Sequence, residues 1–248
     1  GAIVQPLRVF IGYDSREREA FEVAEYSLRR HASAPVVVVP LELATAEGHG
    51  VLWRPWRIAR NSIWDDVSAA PQSTEFAISR FLTPILAHSG LALFVDCDVL
   101  FMGDVYGILE HATAGRAVYC VPHEPLTDTR EKMDSQPQWC YARKNWSSVV
   151  LYDASAAGNR RLTLDLLNRT PGRDLHRFCW LADDEIGILP GRWNWLVDVQ
   201  PRPADAVVAH YTRGGPWLKG WQGGSYDSEW LAYRDHRAAE LRAGNTGG

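Results

Sequence analysis

Two short apolar runs frame an amphipathic segment at the start of the chain. Leu7 to Ile11 and Val36 to Leu41 are nearly continuous apolar runs, whereas residues 16 to 31 carry apolar side chains three and four positions apart. Short continuous runs predict buried strands, and the wider spacing predicts a helix between them. A strand, a helix and a second strand within 45 residues predict a βαβ unit, and therefore a parallel sheet covered on both faces.

The remaining pattern continues this α/β alternation. Residues 47 to 72 lose all periodicity, so we predict a mobile or substrate-facing insertion with weak helical character there. Residues 73 to 88 predict a capped helix, and a C-terminal helix is expected from about residue 225. Further strands are predicted at residues 91–96, 117–121, 148–152 and 206–210. No linker divides the chain, which predicts one domain over residues 1–248.

Two carboxylates interrupt the apolar run from Leu93 to Phe101. Asp96 and Asp98 stand one residue apart, with Cys97 between them. Burying an uncompensated carboxylate costs several kcal/mol, so a pair at the end of a strand indicates a cation, most often a metal. Since side chains alternate along an extended chain, Cys97 is predicted to point into the fold.

Polar residues also follow the first strand and the last one. Gly12-Tyr13-Asp14 comes after the first, and His210 ends the last, followed by Arg213, Gly214, Gly215 and Lys219. Ligands of open α/β sheets bind beyond the carboxyl ends of the strands. Two carboxylates and one imidazole suit Mn²⁺ or Mg²⁺, while glycine N–H groups and basic side chains suit phosphate.

Composition narrows the class of partner. The 248 residues include 26 Lys and Arg against 30 Asp and Glu, a net charge of -4 that does not favour nucleic acid or an anionic membrane. The four cysteines lie too far apart for a zinc motif, and no run reaches the roughly 20 apolar residues of a membrane helix. We expect a cytoplasmic protein that acts on a small molecule or sugar.

These landmarks together resemble the retaining glycosyltransferases of the GT-A fold, particularly the family 8 type that includes glycogenin and bacterial lipopolysaccharide galactosyltransferases. The resemblance implies a three-layer fold with a mostly parallel mixed sheet. It implies that Asp96, Asp98 and His210 hold Mn²⁺ against the diphosphate of a nucleotide-sugar. It also places the segment Ile11 to Asp14 near the nucleobase and Arg80 near the ribose or phosphates of the donor.

Three later motifs follow the order of the same family. They are the turn with Asn145 that leads into a strand, the acidic cluster Asp183-Asp184-Glu185, and Leu189-Pro190-Gly191-Arg192-Trp193-Asn194. The resemblance implies that Asn145, Asp183 and Asp184 face the transferred sugar. Gly215 stands where the family commonly has a Lys, so the resemblance assigns phosphate neutralisation to Arg213 or Lys219. The acidic cluster also departs from the usual Asp-Gln.

The activity implied is transfer of a hexose from a nucleotide-diphosphate sugar, UDP-glucose or UDP-galactose, to a hydroxyl acceptor with retention of configuration. Two alternatives stay open. The Asp96 and Asp98 pair also fits a haloacid-dehalogenase-type phosphatase with Asp96 as nucleophile. A module that binds a nucleotide-sugar without turning it over would use the same residues.

Overall fold

The computed structural model describes residues 5–123, 143 and 147–245. A six-stranded sheet forms its centre, in the order β10-β8-β9-β6-β1-β2. The pairs β1–β2, β1–β6 and β8–β10 are parallel, and β9 runs antiparallel to β6 and β8. These six strands are β1 Leu7–Tyr13, β2 Val36–Glu42, β6 Leu91–Val95, β8 Val118–Cys120, β9 Val149–Asp153 and β10 Ile186–Ile188.

Two three-stranded sheets accompany the central one. The strands β3 Trp56–Ala59, β4 Ser62–Asp65 and β5 Ala70–Gln72 form an antiparallel meander. The strands β7 Val99–Phe101, β11 Trp195–Leu196 and β12 Val208–His210 form the other sheet, with β12 in the middle. The weak helical character predicted for residues 47–72 is therefore wrong, because β3, β4 and β5 pair within that segment.

Six α-helices surround the sheets in the described ranges. Helix α1 buries one apolar face, which includes Ala20, Val23 and Leu28, as the 3–4 spacing of its apolar residues predicts. Helix α6 buries Trp230 against a second apolar cluster built around Trp195 and Tyr211. The six are α1 Arg18–His31, α2 Leu43–Gly48, α3 Thr83–Ala87, α4 Leu164–Arg169, α5 Gly172–Leu175 and α6 Asp227–Asn245.

The helix predicted over residues 73–88 is shorter than its pattern indicated. Only a 3-10 turn at Ser79–Leu82 and the short helix α3 form there. Pro84 lies in the first turn of α3, where its missing N–H is not required, so it starts a helix and does not extend one. His88, with φ of 66°, ends it.

The class of fold expected from the sequence is confirmed. It is an α/β architecture with a mixed, mostly parallel central sheet flanked by helices. The buried side chains of β1, β6 and β9 form its core, with Val9, Leu93, Phe94 and Leu151 fully inaccessible. In the described ranges no helix is both long and apolar enough to cross a lipid bilayer.

Candidate metal centre and its pocket

Strand pairing brings Asp96, Asp98 and His210 to one place. Asp96 follows β6, Asp98 immediately precedes β7, and His210 ends β12. Because β7 and β12 are antiparallel with Val99 opposite His210, the imidazole faces the two aspartates across the sheet. The N–H of Tyr211 donates to the carbonyl of Asp98 at 2.8 Å and fixes this register.

The three side chains are close enough to share one ion. His210 Nε2 lies 3.0 Å from Asp98 Oδ1 and 3.7 Å from Asp96 Oδ2. One candidate ligand atom from each residue lies within 4.8 Å of the others. Cys97 between the aspartates is buried in the main apolar core, as alternation predicts.

Arg80 is the cationic neighbour of this cluster. Its Nη1 donates to Asp96 Oδ1 at 2.7 Å and to the carbonyl of Ser147 at 3.2 Å. Burial raises the pKa of Asp96 to about 6, although Arg80 opposes the rise and Asp98 adds to it. Two carboxylates with one buried arginine therefore leave a negative charge that a cation would stabilise.

His210 responds to the same charges. Burial alone would lower its pKa, but the carboxylates of Asp98 and Asp96 outweigh that effect and raise the pKa above its usual value. Beyond its 3.0 Å contact with His210 Nε2, the buried Asp98 Oδ1 has no polar partner in the described part of the chain. Because buried polar atoms are almost always satisfied, a carboxylate oxygen whose one neighbour is an imidazole fits a divalent cation.

The cluster lines a cavity of about 620 Å³, within the size range of small-molecule sites. Its walls are rich in arginine, and the carboxylates that the described residues contribute are those of Glu17, Asp96 and Asp98. Among the described residues, the charged and histidine side chains that line it are Glu17, Arg80, Asp96, Asp98, Arg143, Arg173, His176, Arg177, His210 and Arg213.

Only some of the predicted phosphate-binding residues after β12 line the cavity. Arg213 and Gly214 line it, and Gly214 has a φ of +107°, which favours glycine. Gly215 is buried beneath Trp217, whose ring leaves no space for a Cβ. Lys219 is exposed and is not among the lining residues.

The segment Ile11 to Asp14 is near the cavity but does not line it. Ile11 is fully buried, and Gly12 and Tyr13 extend β1 beyond its predicted end by pairing with β2. Burial would raise the pKa of Asp14, but hydrogen bonds from Arg16 and from the Glu75 N–H lower it. None of these four residues lines the cavity, whereas the nearby Ser73 and Thr74 do.

The acidic cluster Asp183-Asp184-Glu185 does not line the cavity. Asp183 accepts a hydrogen bond from Arg143 at 2.5 Å, and Arg143 itself lines the cavity. Asp184 is exposed, and its carbonyl accepts from Arg116. Neither aspartate is a lining residue, and Asn145 lies outside the described residues.

Several lining residues had no signal in the sequence analysis. Glu17 accepts a hydrogen bond from Trp217 Nε1 at 2.8 Å, which ties the start of α1 to the loop after His210. Burial raises the pKa of Glu17, with Asp98 adding to the effect. Arg173 and Arg177 are four residues apart, with His176 between them. Side chains at this spacing share a face only in a helical turn, and the sequence did not predict a helical turn there.

Several solved structures that resemble this one are glycosyltransferases. The galactosyltransferase LgtC, solved with donor and acceptor sugar analogues, matches with a TM-score of 0.58 and 12% identity over 93% of this chain and 96% of its own. GlyE of Streptococcus pneumoniae matches with a TM-score of 0.57 and 13% identity. This chain spans 60% of the length of GlyE. Mouse xyloside xylosyltransferase 1 matches with a TM-score of 0.51 and 10% identity over 84% of this chain and 98% of its own.

These likenesses define the class of fold, which is that of the GT-A glycosyltransferases. No protein-family model matches the sequence. Among curated proteins, "Protein CDI" of Arabidopsis thaliana is 38% identical over 234 residues, covering 92% of this chain and 85% of that protein. The chain therefore belongs to the same family as Protein CDI.

Proposed function

We propose that this protein is a metal-dependent glycosyltransferase that moves a hexose from a nucleotide-diphosphate sugar to a hydroxyl acceptor with retention of configuration. The observation that carries the proposal is the meeting of Asp96, Asp98 and His210 in an arginine-lined cavity of a GT-A fold. UDP-glucose or UDP-galactose is the proposed donor, in keeping with the family 8 order of the sequence motifs.

Asp96, Asp98 and His210 would hold Mn²⁺ or Mg²⁺, which supplies Lewis-acid stabilisation of negative charge on the departing diphosphate when bound. Arg80 orients Asp96 through its 2.7 Å bond. This bond keeps the carboxylate in one position, as a ligand requires.

The loop after β12 provides the remaining donors for the diphosphate. Arg213 supplies a guanidinium at the cavity wall, and Gly214 leaves room for an anion beside it because it has no Cβ, while its own N–H donates to the carbonyl of Tyr211 at 2.9 Å. Preorganised donors of this kind stabilise charge that develops in the transition state. Gly215 and Lys219 belong to the same loop, and we propose no direct contact between them and the diphosphate.

In the reaction, the bond between the anomeric carbon and the diphosphate oxygen breaks while the acceptor oxygen bonds to the same face of that carbon. The acceptor proton passes to a phosphate oxygen of the leaving group. Asp183, Asp184 and Asn145 are proposed to contact the transferred sugar. For Asp183, the support is its bond to Arg143, a residue of the cavity wall.

Hydrolysis of sugar nucleotides tests this function, because a glycosyltransferase site without acceptor commonly transfers to water. UDP release from UDP-glucose and UDP-galactose is measured with and without Mn²⁺ or Mg²⁺. We expect metal-dependent release that falls by about 100-fold or more in Asp98→Ala and in His210→Ala. Asp235→Ala and His236→Ala, both exposed on α6, are the matched controls.

Other outcomes point elsewhere. Unchanged turnover in both Asp98→Ala and His210→Ala contradicts the metal assignment. Metal-dependent release of phosphate from monoesters, with no activity on sugar nucleotides, favours the phosphatase. Tight binding of a sugar nucleotide without turnover of any acceptor favours a binding module. The anomeric configuration of a product, read by NMR, decides retention.

A further inference from the structure

We propose that Arg173 and Arg177 form a second anion subsite of the cavity, which recognises a phosphate or carboxylate on the sugar side of the reaction. That group belongs either to an acidic donor sugar or to an anionic acceptor. The inference rests on the proposed function, since it assigns a class of substrate to the same pocket.

The first observation is that these two guanidinium groups line the cavity without a counter-charge. Arg80 is paired with Asp96, and Arg143 is paired with Asp183. Arg173 and Arg177 are exposed, and in the described ranges no carboxylate lies within 4.0 Å of either. A guanidinium presents a planar fork that matches carboxylate and phosphate oxygens.

The second observation is that the segment carrying them is held rigidly. Arg143 donates to the carbonyl of Arg177 at 2.6 Å, and the Ser147 hydroxyl lies 2.7 Å from His176 Nδ1. The N–H of Gly172 and the Nη1 of Arg173 both donate to Ser68, at 2.8 and 3.2 Å. A segment fixed at both ends presents its charges with little loss of entropy on binding.

The third observation separates this pair from the proposed diphosphate site. In the described ranges neither Arg173 nor Arg177 bonds to Asp96, Asp98 or His210, and their segment is linked to the cluster through His176, which contacts Ser147, whose carbonyl accepts from Arg80. Arg213 comes from the loop after β12 instead. A sugar nucleotide carries about two negative charges on its diphosphate, and Asp96 and Asp98 add two more. One divalent cation together with Arg80 and Arg213 balances these charges, so the pair Arg173 and Arg177 is left for another anion.

His176 between the two arginines is unsuited to carry charge itself. Burial lowers the pKa of His176 to about 3, and Arg80 adds to the effect. The imidazole is neutral at physiological pH and supports Ser147, so the positive charge at this wall comes from the guanidinium groups.

Titration calorimetry at pH 7.5 with Mn²⁺ tests the subsite through two pairs of probes. UDP-glucuronate against UDP-glucose tests an acidic donor sugar. Glucose 6-phosphate against glucose, with and without UDP, tests an anionic acceptor. The variant is Arg173→Ala with Arg177→Ala, and the control is Arg160→Ala with Arg169→Ala, two exposed arginines outside the cavity.

We expect the wild type to prefer the anionic member of at least one pair, and the double variant to reduce that preference by about tenfold or more. The pair that responds identifies the source of the anion. A second double variant, Arg173→Lys with Arg177→Lys, should retain part of the preference, because charge remains without the fork.

Three results would overturn the subsite. They are no preference for an anion in the wild type, an unchanged preference in the alanine variant, and an equal loss of affinity for both members of a pair. The last would assign the arginines to the diphosphate. If UDP and UDP-glucose fail to bind at all, the proposed function fails, whereas glucose 6-phosphate against glucose still tests the anion subsite.

Discussion

Asp98→Asn separates the electrostatics of the metal-free protein from the binding of metal. The substitution removes one negative charge and keeps the shape of the side chain. In the structure Asp98 Oδ1 lies 3.0 Å from His210 Nε2, and its carboxylate lies within the 4.8 Å cluster that includes Asp96. Asp98 therefore attracts the imidazole when it is protonated and repels the other aspartate.

Without metal these two effects oppose each other. At an effective dielectric of about 20, a unit-charge pair at 3.0 Å attracts by about 5.5 kcal/mol, and a pair within 4.8 Å repels by about 3.5 kcal/mol or more. We expect metal-free Asp98→Asn to lose at most about 2 kcal/mol in free energy of unfolding, because the lost attraction counts only while His210 is protonated, whereas relief of the repulsion counts in both states of His210.

With metal, the Tm values of the wild type and the variant should diverge. A ligand at 100 times its Kd stabilises the folded state by about 2.7 kcal/mol, which raises Tm by roughly 5–10 °C for a chain of this size. If loss of one ligand in three weakens Mn²⁺ affinity by about 100-fold, the same concentration stabilises the variant by about 0.4 kcal/mol. Its Tm then moves by about 1–2 °C.

Scanning calorimetry with increasing Mn²⁺ measures both quantities. A pH of 7.5 keeps Asp96 ionised, since its pKa is raised only to about 6. Asp235→Asn, exposed on α6, controls for loss of a carboxylate elsewhere. A full Mn²⁺ shift in Asp98→Asn, or no shift in the wild type, would refute the reasoning.

Two further predictions concern the scaffold. Gly12→Ala should cost about 1–3 kcal/mol of stability, because its Cβ would lie 2.3 Å from the Phe76 ring, whereas Gly48→Ala meets nothing within 4 Å; urea unfolding compares the two. Asp65→Asn should cost about 3–5 kcal/mol near pH 7, since it leaves the buried Arg54 without its 2.5 Å partner. Burial would raise the pKa of Asp65, but the hydrogen bond and charge of Arg54 hold it below its usual 3.8. That stabilisation is present above about pH 4 and lost as pH falls through the folded pKa, so the deficit of the variant should narrow in acid; equal deficits at pH 3 and pH 7 would contradict this.

Local patterns were sufficient for part of the architecture. The runs that predict β1, β2, β6, β8 and β9 all form strands of the central sheet, and the 3–4 spacing places α1 within two residues of its start. A buried strand and an amphipathic helix each show a periodicity that one element displays alone. Asp96 and Asp98 could be singled out for the same reason, as polar interruptions of one apolar run.

Elements that depend on distant partners were not foreseen. Strands form within residues 56–72 because these segments pair with one another, although their sequence shows no alternation. Pro84 limits the helix predicted over residues 73–88. The arginines that line the cavity come from four separate segments of the chain, and no local pattern joins those segments.

The sequence by itself determined the α/β class, the central strands and the carboxylate pair, because each is recorded in the spacing of neighbouring residues. Only the tertiary structure decided that His210 faces those carboxylates across β7 and β12, and that Arg173 and Arg177 share their cavity. Such juxtapositions are set by strand register and by packing between segments many residues apart, which no local periodicity specifies.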